Sequence, residues 1–369
     1  MAEKRWIEPD RPVKKRILAF IYQKKETSKQ EIARALSLSM PTVLQNVNEL
    51  AEDHFIREAG EYESTGGRRA KVLAVEPSIF ETAGLDITTH HVHIAVLDAC
   101  GALKKLKRIR LDFKDTPMYY KNIALAVREV IGADAAKIYG IGISLPGIID
   151  AKQHMLVRSH ILGVAQMNLR QFQEVFQMPV LFINDANSAA CAELRDFCGN
   201  AVYISLSDSV GGAIYMNKGI YMGERFKSGE FGHMTVAPGG RQCYCGKQGC
   251  FDAYCSAKVL KAAGGGSLDT FFERLEAGDA ACREIFETYT NYLAIEINNL
   301  RMAFDCDIML GGYVGRYMAP YQTLISEKAA QRNPFAFDAS YIRIGRCGDE
   351  AAAVGAALQP IDQYYIEKL

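Results

Sequence analysis

The 369-residue sequence lacks an apolar run long enough to cross a bilayer, and its first residues, MAEKRWIEPDRPVKKR, lack the apolar core of a secretory signal. Both absences predict a cytoplasmic protein with no membrane partner. An excess of charge is also missing, because 43 Lys and Arg residues balance 43 Asp and Glu residues. The chain as a whole therefore gives no electrostatic indication of a nucleic-acid partner. Short tandem repeats and low-complexity segments are absent as well, which argues against a repeat architecture.

What the sequence does contain is typical of a soluble globular protein, with 49% hydrophobic and 23% charged residues. Its length predicts two or three domains. Charge is uneven along the chain, since residues 1–34 carry ten basic residues against five acidic ones. This local excess suits a surface that meets phosphate groups, although a solvated helix face would explain the charge equally well.

Three short amphipathic helices are predicted at the N-terminus. Apolar residues at helical spacing indicate a first helix over residues 11–22, and Ser28 with Glu31 forms a capping box that begins a second. Ser39 is the expected N-cap of a third helix. The residues expected to face inward are Val13, Ile17, Phe20, Ile21, Ile32, Ala35, Leu36, Val43, Leu44, Val47 and Leu50. Extended runs at 56–58 and 71–75 follow, so residues 1–76 are predicted to form a winged helix-turn-helix domain.

The third helix has the character of a DNA-reading element. Its outward residues are predicted to be Thr42, Gln45 and Asn46, and Ser39 lies at its positive N-terminal end. Glutamine and asparagine side chains can make two hydrogen bonds to adenine in the major groove. Arg68 and Arg69 at the wing tip are placed to reach a minor groove or a phosphate of double-stranded DNA. Any trio of small helices can show this pattern, which leaves a purely structural interpretation open.

Beyond a linker near Pro77, the pattern changes to alternating strands and helices, which predicts an α/β domain over residues 80–369. Strands are expected at 83–87, 92–97, 138–143, 180–183, 202–206 and 308–310. Helices are expected at 119–131 and 269–304.

A cysteine and histidine cluster is the most specific local feature. His233, Cys243, Cys245 and Cys250 fall within eighteen residues in a glycine-containing segment. One imidazole and three thiolates complete a tetrahedral shell for Zn²⁺, so the predicted ion is structural, with no open position for a catalytic water. A reduced, packed cysteine trio is the alternative. The other seven of the ten cysteines are scattered and are expected to pack as small apolar residues.

Together these motifs resemble the ROK family of repressors and sugar kinases. Glu230-Phe231-Gly232-His233 with the C-x-C-G-x-x-G-C run resembles the family's signature. The segment 140–147, the Asn184-Asp185-Ala186-Asn187 motif, Leu310-Gly311-Gly312 and the small-residue helix 351–357 resemble further family segments in the same order. The N-terminal winged helix is the mark of the repressor branch, which responds to xylose or N-acetylglucosamine.

The resemblance implies an actin-like, ribonuclease H-like fold of two lobes with a sugar in the cleft. The first lobe would span about 80–185 plus the C-terminal helix, and the second about 186–347. It also implies roles for single residues. Asn184, Asp185 and Glu230 would bind sugar hydroxyls, with Asp185 at the position of the kinase base, and His233 would bind zinc through one ring nitrogen and face the sugar with the other. Asp252 stands where the family usually has Glu, one methylene longer.

The nucleotide half of the kinase site is altered in this sequence. Kinases of this fold hold ATP phosphates on two glycine-rich turns, where backbone N–H groups approach the phosphates closely. At 86–90 the sequence is Asp-Ile-Thr-Thr-His, with two β-branched threonines in place of glycines. At 207–212 two glycines are missing, and Asp208 adds a negative charge. No ATP binding and no catalytic residue are therefore expected.

The resulting prediction is a sugar-responsive transcriptional repressor that binds a DNA operator and a sugar without phosphorylating it. Reading a pseudo-palindromic operator with two winged helices would require a homodimer. Two alternatives remain: an ATP-dependent sugar kinase, and a protein whose large domain docks a partner protein instead of a sugar.

Overall fold

We describe residues 12–62, 71–335 and 339–365 of a computed structural model, without the side chain of Ala133. The helices are α1 Val13–Lys24, α2 Lys29–Leu36, α3 Met40–Glu52, α4 Pro117–Ile131, α5 Arg170–Phe176, α6 Asp185–Glu193, α7 Asp252–Cys255, α8 Ala257–Ala263, α9 Leu268–Glu276, α10 Ala280–Phe304, α11 Gly312–Gly315, α12 Gln322–Ala330 and α13 Ala351–Gln363. The strands are β1 Ile56–Glu61, β2 Lys71–Val75, β3 Glu81–Ile87, β4 His91–Asp98, β5 Leu103–Arg110, β6 Ile138–Leu145, β7 Ile148–Asp150, β8 Met155–Ser159, β9 Val164–Asn168, β10 Val180–Asn184, β11 Ala201–Leu206, β12 Val210–Met216, β13 Gly219–Ile220, β14 Asp307–Gly311 and β15 Ile342–Ile344. None of the helices in these ranges has both the length and the apolar character that a bilayer crossing requires.

The three N-terminal helices begin where the sequence predicts. The hydroxyl of Ser28 accepts a hydrogen bond from the backbone N–H of Glu31, and that of Ser39 accepts one from Thr42. These caps satisfy N–H groups that have no partner inside the helix. The three helices pack against one another. Their shared core contains Ile17, Leu18, Ile21, Ile32, Leu36, Val43, Val47 and Leu50.

Two of the predicted inward positions are wrong. Leu44 is 40% exposed, and Ala35 is also exposed. In α3 the buried residues are Val43, Val47 and Leu50, a narrow stripe at spacings of four and three residues. Leu44 lies beside that stripe, on the face that points to solvent.

The wing consists of β1 and β2, which pair antiparallel with Ile56 opposite Val75. A register shift between Glu58 and Gly60 bends β1. The predicted wing-tip residues Arg68 and Arg69 lie outside the described residues.

The chain divides into two compact units, the first comprising Met1–Ile143, Arg170–Phe182 and Ala356–Leu369. Its sheet has the strand order β10-β6-β3-β4-β5, with β3 to β5 as an antiparallel meander. Strands β3 and β4 are buried along nearly their whole length.

Within this first unit, the winged helix contacts the C-terminal helix. The ring of Tyr22 in α1 stacks on that of Tyr365, with centroids 4.0 Å apart. The Tyr22 hydroxyl also donates to the carboxylate of Asp362 at 3.2 Å. Tyr365 is buried, and its hydroxyl donates to the carbonyl oxygen of Ala99. An aromatic stack and one hydrogen bond therefore connect residues more than three hundred positions apart in the sequence.

The second unit comprises Ser144–Leu169 and Ile183–Gly355. One sheet has the order β13-β12-β11-β14-β15, and a small antiparallel sheet has the order β7-β8-β9. The apolar face of α10 packs on β14 and on helices α7 to α9 and α12. The single helix predicted over 269–304 is in fact α9 and α10, separated at Gly278, which has a φ of +88°.

Candidate ligand-binding cavity and metal-binding cluster

A cavity of about 270 Å³ lies within the second unit. This volume is slightly below the usual range for drug-sized ligands, so it suits a molecule of monosaccharide size. Its wall includes the predicted residues Asn184, Asp185, Glu230 and His233. Sequence reasoning therefore identified four residues that the fold brings to one cavity, although Glu230 is 46 positions from Asn184.

Asp185 is positioned by the start of α6. Its neighbour Asn184 is the N-cap, and the Asn184 side chain accepts from the backbone N–H of Asn187 at 3.1 Å. The Asn184 amide also donates to the carbonyl of Gly147 at 3.0 Å and to the Asp185 carboxylate at 2.9 Å. Asn184 thus already uses its oxygen and its amide group within the protein. Its main effect in this geometry is to orient Asp185 toward the cavity.

Glu230 lines the cavity, and the preceding residue, Gly229, approaches the backbone of strand β12 closely. Gly229 has a φ of +80°, and a Cβ atom there would lie 2.5 Å from the carbonyl oxygen of Gly212. Only glycine fits this contact, which brings Glu230 against strand β12. Partial burial raises the pKa of the Glu230 carboxyl. A carboxyl group in this position can accept hydrogen bonds from ligand hydroxyls.

The four predicted metal ligands come together. The ligand atoms of His233, Cys243, Cys245 and Cys250 all lie within 4.8 Å of one another. Cys245 Sγ is 3.7 Å from Cys250 Sγ, and Cys243 Sγ is 3.8 Å from His233 Nδ1. A tetrahedral ion with metal–sulfur bonds of about 2.3 Å requires sulfur–sulfur separations of roughly 3.8 Å. The donor set and its spacing therefore fit a metal such as zinc.

The loop that carries the cluster is fixed by tight backbone turns. Gly249 has a φ of +80°, and a Cβ atom there would lie 1.8 Å from the carbonyl oxygen of Ala237. The backbone N–H of Cys243 donates to the carbonyl of Lys247 at 2.8 Å. Burial lowers the pKa of His233, which favours the neutral imidazole that can bind a metal. Burial also raises the pKa of the Cys243 thiol to about 12, so a cation is needed to hold its thiolate form near neutral pH.

Asp252 does not line the cavity, in contrast to the other predicted sugar-binding residues. Its side chain is 5% exposed and accepts a hydrogen bond from the backbone N–H of Val210 at 2.6 Å. Burial raises the pKa of Asp252 to about 6, and the Val210 N–H offsets part of that effect. A direct sugar contact from Asp252 does not fit this geometry. The carboxyl instead supports Val210, which is itself part of the cavity wall.

Several cavity residues were not predicted as site residues. They are contributed by the β7-β8-β9 sheet, by α6, by the turn between β11 and β12, by the loop after β13 and by the metal-binding loop. They include Arg158, Ser159, His160, Asn187, Ser209, Lys227, Tyr244 and Lys247. Asn187 Oδ1 is buried without a hydrogen-bond partner among the described residues. Asn187 ends the N-D-A-N motif and could have been selected on that ground. Tyr244 and Lys247 occupy unspecified positions of the C-x-C-G-x-x-G-C run, and Ser209 lies in the turn at 207–212, whereas the others belong to no short motif.

The two altered turns make contacts of their own. In the turn after β3, the N–H and the hydroxyl of Thr88 both donate to the carbonyl of His91, at 2.9 and 3.0 Å. In the turn after β11, the Asp208 carboxylate pairs with Lys261 at 2.6 Å.

The predicted DNA-reading residues lie on the accessible side of α3. Ser39 and Gln45 are exposed, and Thr42 and Asn46 are partly exposed. The Asn46 amide donates to the carbonyl of Thr42 at 2.8 Å, and the Gln45 amide donates to Glu49 at 3.1 Å. Met40 and Leu44, each 40% exposed, add apolar surface to the same helix. Such side chains can contact a thymine methyl group.

Comparison with known proteins agrees with a chain made of an N-terminal winged helix and a larger α/β domain. The ROK family matches residues 82–361, and a family described as winged helix-turn-helix DNA-binding matches residues 10–57. The chain is 27% identical to the xylose repressor of Bacillus spizizenii over 309 residues, 79% of each chain. It is 26% identical to the N-acetylmannosamine kinase of Escherichia coli (strain K12) over 291 residues, which cover 75% of this chain and 97% of the kinase.

A crystal structure of a ROK family transcriptional regulator, a homologue of the E. coli MLC protein, has the same fold. It superimposes with a TM-score of 0.77 over 96% of both chains, at 19% sequence identity. The predicted fold class, a winged helix-turn-helix followed by the α/β fold of ROK kinases and repressors, is confirmed.

Proposed function

Because this chain belongs to the ROK family and carries a winged helix-turn-helix, we propose that it is a sugar-responsive DNA-binding repressor. Residues 1–76 would form the DNA-binding domain and residues 80–369 the sugar-sensing domain. The observation that carries this proposal is the cavity, where Asp185 and Glu230 face the same space as His233 of the metal cluster. The xylose repressor among the relatives supports it.

The chemistry of the cavity favours a polyhydroxylated ligand. A sugar presents hydroxyl groups that both donate and accept, and two carboxylates with an imidazole satisfy them in pairs. We assign sugar binding to Asp185, Glu230 and His233, with Asn184 orienting Asp185 and Asp252 supporting the wall.

The metal in the Cys3His cluster would be Zn²⁺ with a structural role. The four protein ligands would fill a tetrahedral shell, so no position would remain for a substrate or water. When bound, the ion supplies rigidity to the loop and an orientation for the His233 ring. The protein residues then do the recognition.

The absence of phosphoryl transfer is proposed from the two turns. A hydrogen-bonded Thr88 and the Asp208–Lys261 pair replace open glycine-rich backbone where ATP phosphates would lie. The kinase relatives and the retained Asp185 keep a sugar kinase as the alternative function. Incubating the purified protein with ATP and each candidate sugar tests this directly, and formation of any sugar phosphate would refute the proposal.

The winged helix would bind operator DNA. The residues that contact the DNA would be Ser39, Thr42, Gln45 and Asn46 of α3, with Arg68 and Arg69 of the wing. A homodimer would place two winged helices on a pseudo-palindromic operator in the cytoplasm. Selection from a random double-stranded DNA library would yield two half-sites, and light scattering would report the mass of a dimer. Selection of no preferred sequence would contradict the DNA-binding part.

Sugar binding is tested by calorimetry against D-xylose, D-glucose and N-acetyl-D-mannosamine. We expect Asp185→Asn to weaken or abolish the binding heat while the metal content stays unchanged. Glu273→Gln, an exposed carboxyl on α9 outside the cavity, is the matched control and should bind as the wild type does. If the purified protein binds none of these sugars but binds another protein, the result would favour the alternative in which the large domain docks a partner protein.

A further inference from the structure

Three basic side chains in the cavity wall have no acidic partner within the described ranges. Arg158, Lys227 and Lys247 line the same cavity as Asp185 and Glu230. All three are exposed, and none of them makes an ion pair or a side-chain hydrogen bond with another described residue. The hydroxyl groups of a neutral sugar are satisfied by carboxylates and neutral donors, so they do not account for three cations. The wall therefore carries positive charge that a neutral sugar leaves unused.

Arg158 lies close to the carboxylate that is expected to bind sugar. It belongs to β8, the middle strand of the β7-β8-β9 sheet. Its backbone packs on Gly147, where the φ is +123° and a Cβ atom would lie 2.3 Å from the Arg158 carbonyl oxygen. The carbonyl of Gly147 accepts a hydrogen bond from Asn184, the residue that orients Asp185. Two contacts therefore connect strand β8 to the Asp185 end of the cavity.

Lys227 and Lys247 reach the cavity from two further segments. Lys227 lies two residues before Gly229, whose contact with the carbonyl of Gly212 fixes this loop against β12. Lys247 is in the metal-binding loop, where its carbonyl oxygen accepts from the backbone N–H of Cys243 at 2.8 Å. Backbone contacts thus fix both loops, while the long side chains stay exposed. Three separate segments bring one cation each to a single ligand space.

This set of cations suits a phosphate monoester. Such a group carries nearly two negative charges at neutral pH and three strong acceptor oxygens. A guanidinium group can donate two parallel hydrogen bonds to it, and lysine ammonium groups bind it as point charges. Asp185 and Glu230 would repel an anion, so the two parts of such a ligand would be bound by different residues. The hydroxyls would contact the carboxylates, and the phosphate would contact the cations.

We propose that the ligand is a phosphorylated monosaccharide whose phosphate group binds Arg158, Lys227 and Lys247. This inference rests on the proposed sugar-binding function and names the class of the sugar. The ring hydroxyls keep the two carboxylates and the imidazole that are assigned to them above. The reaction that must supply such a ligand is phosphoryl transfer to a free sugar. Since this chain is proposed not to transfer phosphate, a separate kinase would make the ligand that it senses.

The test compares neutral sugars with their phosphates by calorimetry at low ionic strength. The pairs are D-glucose with D-glucose 6-phosphate, D-xylose with D-xylose 5-phosphate, and N-acetyl-D-mannosamine with its 6-phosphate. We expect one phosphorylated sugar to bind at least about tenfold more tightly than its neutral parent. Lys227→Gln and Arg158→Gln should each reduce this preference about tenfold, because each removes a charge-assisted hydrogen bond. Lys152→Gln, an exposed lysine outside the cavity wall, should leave the preference unchanged.

Three results would overturn the phosphate assignment and leave the proposed function standing. The first is a wild-type protein that binds a neutral sugar as tightly as its phosphate, or more tightly. The second is a preference that survives in both variants while their metal content and melting temperature match the wild type. The third is equally tight binding of D-glucuronate and D-glucose 6-phosphate, because any anionic group would then suffice. If neither the neutral nor the phosphorylated sugars bind, the proposed function fails, and this inference fails with it.

Discussion

Glu296 is a fully buried acid in α10 whose ionisation should destabilise the second unit above neutral pH. Its exposure is 0%, and neither carboxylate oxygen has a hydrogen-bond partner of good geometry among the described residues. Burial raises the pKa of Glu296 from 4.5 to about 7, and the nearby Asn299 offsets only part of this effect. The native state therefore binds a proton that the unfolded state has already released between those two values.

The sign and size of the effect follow from this proton. Stability falls as pH rises from about 4.5 to about 7 and is constant beyond, because the unfolded chain is ionised first. At 1.36 kcal/mol per pH unit, the full interval corresponds to about 3.4 kcal/mol. Glu296→Gln has the same shape and no charge, so it avoids this loss. We expect it to raise the free energy of unfolding by about 2.5 kcal/mol more at pH 8.5 than at pH 5.

Guanidinium denaturation of the wild type and the variant at both pH values measures this difference. Any release of metal at pH 5 affects both proteins and cancels in the comparison. Glu284→Gln, an exposed glutamate on the same helix, is the control and should show no pH-dependent gain. An equal effect of Glu296→Gln at pH 5 and pH 8.5 would refute the reasoning, since a buried charge acts only when it is ionised.

Three further outcomes are expected. Cys245→Ser should lose the bound metal and lower the melting temperature measured by calorimetry, and unchanged metal content would contradict the cluster. Leu44→Ala should cost less than about 1 kcal/mol in chemical denaturation while Val47→Ala costs about 2 kcal/mol, because only Val47 is buried; equal costs would place Leu44 in the core. Tyr22→Ala should weaken operator binding in a mobility-shift assay more than Tyr62→Ala, an exposed tyrosine of the wing region, because it removes the stack on Tyr365; equal affinities would show that this contact does not orient the winged helix.

The features that could be predicted from the sequence are those encoded over short distances. Ser28 and Ser39 act on backbone groups three residues away, so their caps were visible in the sequence. The four metal ligands are close in the chain, and two tight turns suffice to bring them together. The phosphate turns are also local, so a change from glycine to threonine is informative by itself.

The features that could not be predicted depend on packing between distant segments. Asp252 binds the backbone of Val210, 42 residues away, and no spacing rule indicates this partner. Arg158 and His160 reach the cavity because β8 pairs with β7 and β9 in a small sheet that has no strong apolar pattern. Leu44 was assigned to the core because apolar residues usually are buried, yet α3 has only a narrow contact stripe.

The stacking of Tyr22 on Tyr365 limits how the DNA-binding domain of this protein can be exchanged for another. A hybrid that exchanges residues 1–76 for another winged helix would keep its covalent connection but lose a partner for Asp362 and Tyr365. The DNA-binding domain and the C-terminal segment therefore depend on each other through these contacts. A replacement domain without a side chain equivalent to Tyr22 would lack the packing contact that fixes its position. Chimeras that carry α1 together with residues 362–365 should retain regulation that exchange of residues 1–76 alone disrupts.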